Sequence, residues 1–116
     1  MKILEFETEK LDTLDPDVIE KIENARDKVL EACEKSESEE KQSVAVRTQC
    51  EAVAEFIDAL FGNGTAKKVF GEKTSLLKAM KAFEDVMRGL NEDTESQTAE
   101  IQNIIKKYSP KRIIKK

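Results

Sequence analysis

Apolar residues recur at helical spacing along most of the chain. The first such pattern follows Asp15, an expected N-cap, and Pro16 at the first helical position, and it ends near residue 35. A second pattern runs from about residue 39 to 61, and its wide apolar surface predicts the centre of the core. The short serine-rich connection between the two patterns predicts an antiparallel helix pair.

The last helical pattern starts at Ser75 and keeps one heptad register over about 33 residues. Its polar middle predicts either a bend near Gly89 to Asn91 or a helix that leaves the globular body and resumes as a coiled-coil-like arm. Such an arm would pack against a second chain or against the N-terminal segment. Beyond the polar break, the residues that we expect to bind a partner are Ile101, Ile104, Ile105 and Tyr108.

The N-terminal stretch KILEFE alternates apolar and acidic residues, which predicts a short strand with Leu4 and Phe6 on one side. The alternative is an extended arm that lays the same two side chains against the helices. The expected fold class is therefore all-α: a small helical bundle with a long C-terminal heptad helix and room for a short N-terminal strand. Residues 1–109 would form one helical domain with an N-terminal arm (1–14), and residues 110–116 a basic tail.

The glycine-rich stretch FGNGTAKKVFGEKT, at residues 61–74, resembles a phosphate-binding loop in composition but not in spacing. A Walker-type loop needs a lysine directly after its last glycine, whereas Glu72 separates Gly71 from Lys73. The glycine spacing does not fit the dinucleotide fingerprint either. The stretch is therefore not expected to bind a nucleotide.

The same glycines are suited to ending helices. Gly62 stands where the second helix needs a left-handed residue, and Thr65 could cap a short helical turn that Gly71 ends. Thr74 or Ser75 would then cap the last helix. The stretch predicts a corner between helices.

The composition gives little support to an enzyme or a metal protein. Charged residues make up 38% of the chain and aromatic residues 5%, as in helical proteins with large solvated faces. The chain has no histidine, and no carboxylate pair is marked out by an apolar pocket, so we expect neither catalysis nor a metal or cofactor. Cys33 and Cys50 fall too far apart on antiparallel helices for a disulfide and are expected to be reduced.

No apolar run approaches the length of about 18 residues that a membrane helix needs, and acids stand where a signal peptide would be apolar. We therefore expect a cytosolic protein without a membrane partner. Residues 106–116 carry six Lys or Arg and no acid, while the rest of the chain has a net charge near −10. Because that body would repel a polyanion, we expect the tail to dock on the chain's own acidic body or to contact an acidic partner rather than nucleic acid, with Lys111 and Arg112 as candidate contacts.

The segment QCEAVAEFIDALFGNGTAKKVFGEKTSL, followed by KAFEDV and KYSPKR, resembles a family of small proteins encoded among the tail genes of phages and prophages of Gram-positive bacteria. That family pairs an acidic helical body with FGxGTAKKxFGxKTN and a YSPxR-like basic tail. The resemblance implies a tail assembly chaperone that keeps the tape-measure protein soluble in the host cytoplasm. The alternative is a structural tail component, in which the heptad helix forms a homo-oligomer.

Overall fold

The computed structural model describes residues 1–109 and shows a short hairpin followed by four helices. This arrangement confirms the expected all-α bundle with a long last helix. Lys111 and Arg112 lie outside the described residues, as does the whole predicted tail 110–116. The elements are β1 (Lys2–Ile3), β2 (Phe6–Glu7), α1 (Pro16–Ser36), α2 (Gln42–Phe61), α3 (Thr65–Phe70) and α4 (Leu76–Tyr108).

Helices α1 and α2 form the predicted pair. The Asp15 carboxylate accepts hydrogen bonds from the backbone N–H groups of Asp17 (2.8 Å) and Val18 (3.4 Å), which confirms its role as the N-cap. Helix α2 begins at residue 42, later than the predicted 39, and its N-cap residue Lys41 makes no side-chain capping bond. The apolar face of α2 is the centre of the core, with Val53, Phe56, Ile57 and Leu60 buried.

Helix α4 lies along α2, with the rings of Phe56 and Phe83 4.9 Å apart between centroids. Further along α4, Gln97 donates a hydrogen bond to the hydroxyl of Thr13, just before the first turn of α1. The start of α1 lies beside the end of α2, so α4 runs in the same direction as α2 and passes its end. The last three turns of α4 project from the body, and the molecule as a whole is 67 Å long and 30 Å wide.

The N-terminal stretch is a two-stranded hairpin, not a single strand or an extended arm. Lys2 pairs with Glu7 and Ile3 with Phe6, which leaves Leu4 and Glu5 in the turn. Leu4 has a φ of 54°, a conformation that suits a two-residue hairpin turn. The predicted alternation fits the burial, since Leu4 and Phe6 are half-buried while Glu5 and Glu7 are exposed. The fully buried side chain of the hairpin is nevertheless Ile3, which the alternation did not single out.

The polar middle of α4 does not interrupt the helix, which continues from Leu76 to Tyr108. A Cβ atom on Gly89 would lie 3.0–3.3 Å from the side chain of Met1, so this glycine makes room for the N-terminal segment. Burial of Leu90 and the contact between Gln97 and Thr13 anchor the helix on either side of the low-propensity residues. The predicted helix that leaves the globular body is present, because every residue from 98 to 108 is exposed.

Candidate partner-binding surface

The glycine-rich corner is built around Asp58 of α2. Its carboxylate accepts a hydrogen bond of 2.8 Å from the backbone N–H of Ala66, in the first turn of α3. Its carbonyl oxygen accepts another from the N–H of Gly62, the residue that ends α2. The Asp58 side chain and backbone therefore tie the end of α2 to the start of α3.

The three glycines of the corner sit at helix ends as predicted, but Gly62 is not left-handed helical: its φ is 110° and its ψ is 150°. Gly62, Gly64 and Gly71 all have positive φ, and Gly71 ends α3. The prediction for Thr65 was wrong, because Gly64 occupies the N-cap position and Thr65 is already the first residue of α3. Ser75 caps α4 by accepting a hydrogen bond from the N–H of Lys78. The corner thus fixes where α4 begins and along which side of α2 it runs.

The structure brings the four described candidate residues together on the free end of α4. Every residue from 98 to 108 is exposed, and the four apolar side chains follow the helical spacing i, i+3, i+4 and i+7. We call this surface the α4 stripe. Its exposed fractions are Ile101 42%, Ile104 58%, Ile105 52% and Tyr108 76%.

The α4 stripe continues the face that packs in the core. Phe83, Leu90, Gln97 and Ile104 follow one another at intervals of seven residues, so they lie along the same side of the helix. Phe83 and Leu90 contact the body and Gln97 contacts Thr13, whereas Ile104 lies beyond the last contact that residues 1–109 make with this face. An apolar face at a free helix end is therefore open to a helical partner along about three turns.

Charge changes sign at the α4 stripe. Residues 89–105 contain four acids and no Lys or Arg, and Lys106 and Lys107 then begin the basic end of the chain. The ammonium group of Lys107 lies 5.9 Å from the centre of the Tyr108 ring. Glu100 and Lys107 lie on the same flank of the stripe, because they are separated by seven residues.

Asp85 holds the hairpin on α4, an interaction that the sequence patterns did not reveal. Its carboxylate accepts a 2.8 Å bond from the backbone N–H of Leu4 and a 2.6 Å bond from Arg88. The bond to Asp85 is the main reason that the pKa of the Arg88 guanidinium is raised. Asp85 stands among many helical acids in the sequence, and only the fold shows that it faces the N-terminal turn.

The metal-binding side-chain types and the cysteines of the described residues are spread over the fold. Within residues 1–109, no three His, Cys, Asp or Glu side chains are placed to hold a metal ion. Cys33 and Cys50 are free and half-buried, as predicted, and burial raises the pKa of the Cys50 thiol. In the same part of the chain, no helix is long and apolar enough to span a bilayer.

Comparison with known proteins gives a family for the chain. No curated protein and no solved structure matches it. Residues 4–116 match the model described as "Family of unknown function (DUF6673)", and the chain belongs to this family.

Proposed function

We propose that this protein is a non-enzymatic tail assembly chaperone of a phage or prophage, which binds helical segments of the tape-measure protein in the host cytoplasm. The observation that carries the proposal is the α4 stripe: three isoleucines and a tyrosine exposed on a helix that extends past its own body. Anchors spaced i, i+3, i+4 and i+7 fit the apolar face of another amphipathic helix.

The charge of the chain also supports a role in keeping an apolar client in solution. The body has a net charge near −10 over residues 1–105, which opposes aggregation of a complex that contains it. Its resemblance to phage tail proteins, in the corner at residues 61–74 and in KYSPKR, favours a long helical tail protein as the client.

The test is coexpression with a phage tape-measure protein, a long helical tail protein. We expect wild-type chain to raise the soluble fraction of that protein, and Ile101→Asp with Ile105→Asp to abolish the effect. The matched control is Ala99→Asp with Asn103→Asp, which adds the same charge on the opposite, exposed face of the same turns. The control variant should retain the activity of the wild type.

Three results would contradict the proposal. If wild-type chain leaves the client insoluble, the chaperone function is wrong. If the stripe variant and its control perform equally well, the α4 stripe is not the binding surface. If mass spectrometry finds the chain at stoichiometric amounts in purified virions, it is a structural tail component, the alternative that the heptad register of α4 favours.

A further inference from the structure

We infer that the free end of α4 also pairs with the same segment of a second copy of this chain, in antiparallel orientation, with Lys107 of each copy opposite the partner's Glu100. This inference goes beyond the proposed function, because self-pairing requires no client. It commits the α4 stripe to one occupant in the isolated protein: another α4 stripe, related by a two-fold axis.

The first argument comes from the heptad register. Ile101 and Tyr108 occupy one core position of the heptad, and Ile104 occupies the other. In an antiparallel pair, the layers alternate so that Ile101 of one helix meets the partner's Ile104, and the two-fold axis passes near residues 102 and 103. The two-fold axis repeats this contact, so Ile104 of the first helix also meets the partner's Ile101. Such self-complementary contacts are what an isologous interface requires.

The second argument comes from the flanks of the α4 stripe. Glu100 and Lys107 lie on one flank, while Ile105 lies on the other. An antiparallel pair brings like flanks together, so each Lys107 meets the partner's Glu100 and two opposite-charge pairs form. A parallel pair brings unlike flanks together and places Glu100 against the partner's Ile105, which gives no charge pair.

The third argument is the larger distribution of charge. In an antiparallel pair, Lys106 and Lys107 are directed towards the acidic stretch 89–100 of the partner and towards the acids that flank Thr13. A parallel pair would place the two basic ends side by side, where like charges repel.

The body limits how far the two helices overlap. Thr13 already occupies the core-facing side of α4 at Gln97, so the partner's helix end must stop there. The overlap therefore spans about 12 residues, or roughly 18 Å of helix. So small an interface predicts a dimer that forms in the micromolar range and weakens with salt.

The test uses charge reversal on the full-length chain, followed by sedimentation equilibrium at low and high micromolar protein. Glu100→Lys and Lys107→Glu should each weaken the dimer about tenfold, because each creates two like-charge pairs. An equimolar mixture of the two single variants should dimerise about as well as wild type, since every flank pair is then of opposite charge. The double variant should also recover.

Matched controls are Glu92→Lys and Lys106→Glu, which make the same charge changes on sides of α4 away from the stripe. They should change the dimer dissociation constant less than the flank variants do. Recovery in the mixture supports the antiparallel pair, whereas loss without recovery contradicts it. A wild-type chain that remains monomeric at high micromolar concentration would also overturn the inference.

The two proposals can fail independently. The charge-reversal variants keep all four side chains of the α4 stripe, so they should still solubilise the helical client. A monomeric wild type that solubilises the client would disprove only the self-pairing. A charge-sensitive dimer that leaves the client insoluble would disprove only the chaperone function.

Discussion

The two halves of α4 carry the same kind of apolar face, but this face is buried in the first half and exposed in the second. In residues 76–97, Ala79, Ala82, Val86 and Leu90 are buried against α2 and the N-terminal segment. In residues 98–108, every residue is exposed although three isoleucines share that face. The difference lies in the neighbours, because α4 passes the end of α2 and its last described contact with the N-terminal segment is the bond from Gln97 to Thr13. A heptad register therefore shows which face of a helix can pack, but not whether the partner belongs to the same chain.

The largest expected effect compares Leu90 with Ile104, which occupy equivalent heptad positions two repeats apart. Leu90 is 3% exposed, so Leu90→Ala should lower the free energy of unfolding by about 2–5 kcal/mol through lost burial and a cavity. Ile104→Ala should change it by less than about 0.5 kcal/mol at protein concentrations where the chain is monomeric. Urea unfolding measures both, and similar losses would show that the free end is buried in the monomer.

We call residues 76–97 of α4 the embedded half. The next prediction concerns the bond that attaches the N-terminal hairpin to it. Asp85→Ala removes the acceptor for the Leu4 N–H and for Arg88, and it should cost about 1.5–3 kcal/mol. Glu84→Ala, at the exposed neighbouring position, is the control and should cost much less. Hydrogen exchange at the Leu4 amide should accelerate only in the Asp85 variant. Equal exchange rates in the two variants would mean that this bond does not hold the hairpin.

A smaller effect is expected at Gly71, which sets the path from α3 into the embedded half of α4. Its φ of 75° and ψ of −148° lie in a region that glycine adopts almost alone, so Gly71→Ala should cost about 1–2 kcal/mol. Asparagine should not rescue this position. Gly64→Asn should be milder, because Gly64 has left-handed helical angles that asparagine tolerates. Thermal unfolding would compare the three variants, and a neutral Gly71→Ala would contradict the assigned backbone.

The smallest effect is expected at Gly89, within the embedded half. Gly89→Ala should raise the free energy of unfolding by up to about 1 kcal/mol, because alanine favours the helix and the flexible Met1 side chain can shift by a few tenths of an ångström. Gly89→Leu should instead destabilise the protein, since the larger side chain would displace Met1. Urea unfolding separates these outcomes, and a destabilising Gly89→Ala would show that Met1 cannot move.

Features that depend on local chemistry followed from the sequence. The cap at Asp15, the cap at Ser75 and the end of α3 at Gly71 were predicted because each depends on a few neighbouring residues. Other features depend on residues that are distant in the chain. The burial of Ile3, the capping of α3 by Asp58 and the bond from Leu4 to Asp85 belong to this second group. No periodic pattern marks which one of many helical acids will face a turn more than 80 residues away.

The sequence by itself determined the number of long helices, the order of the elements, the apolar face of α4 and the members of the α4 stripe. It did so because helical periodicity and capping act over one or two turns. Only the tertiary structure decided that α4 stays continuous through Gly89 and that its face is covered up to Gln97 and exposed beyond it. Those outcomes depend on which parts of α4 the N-terminal segment and α2 cover. Burial is decided by these contacts between distant parts of the chain and not by the periodic pattern.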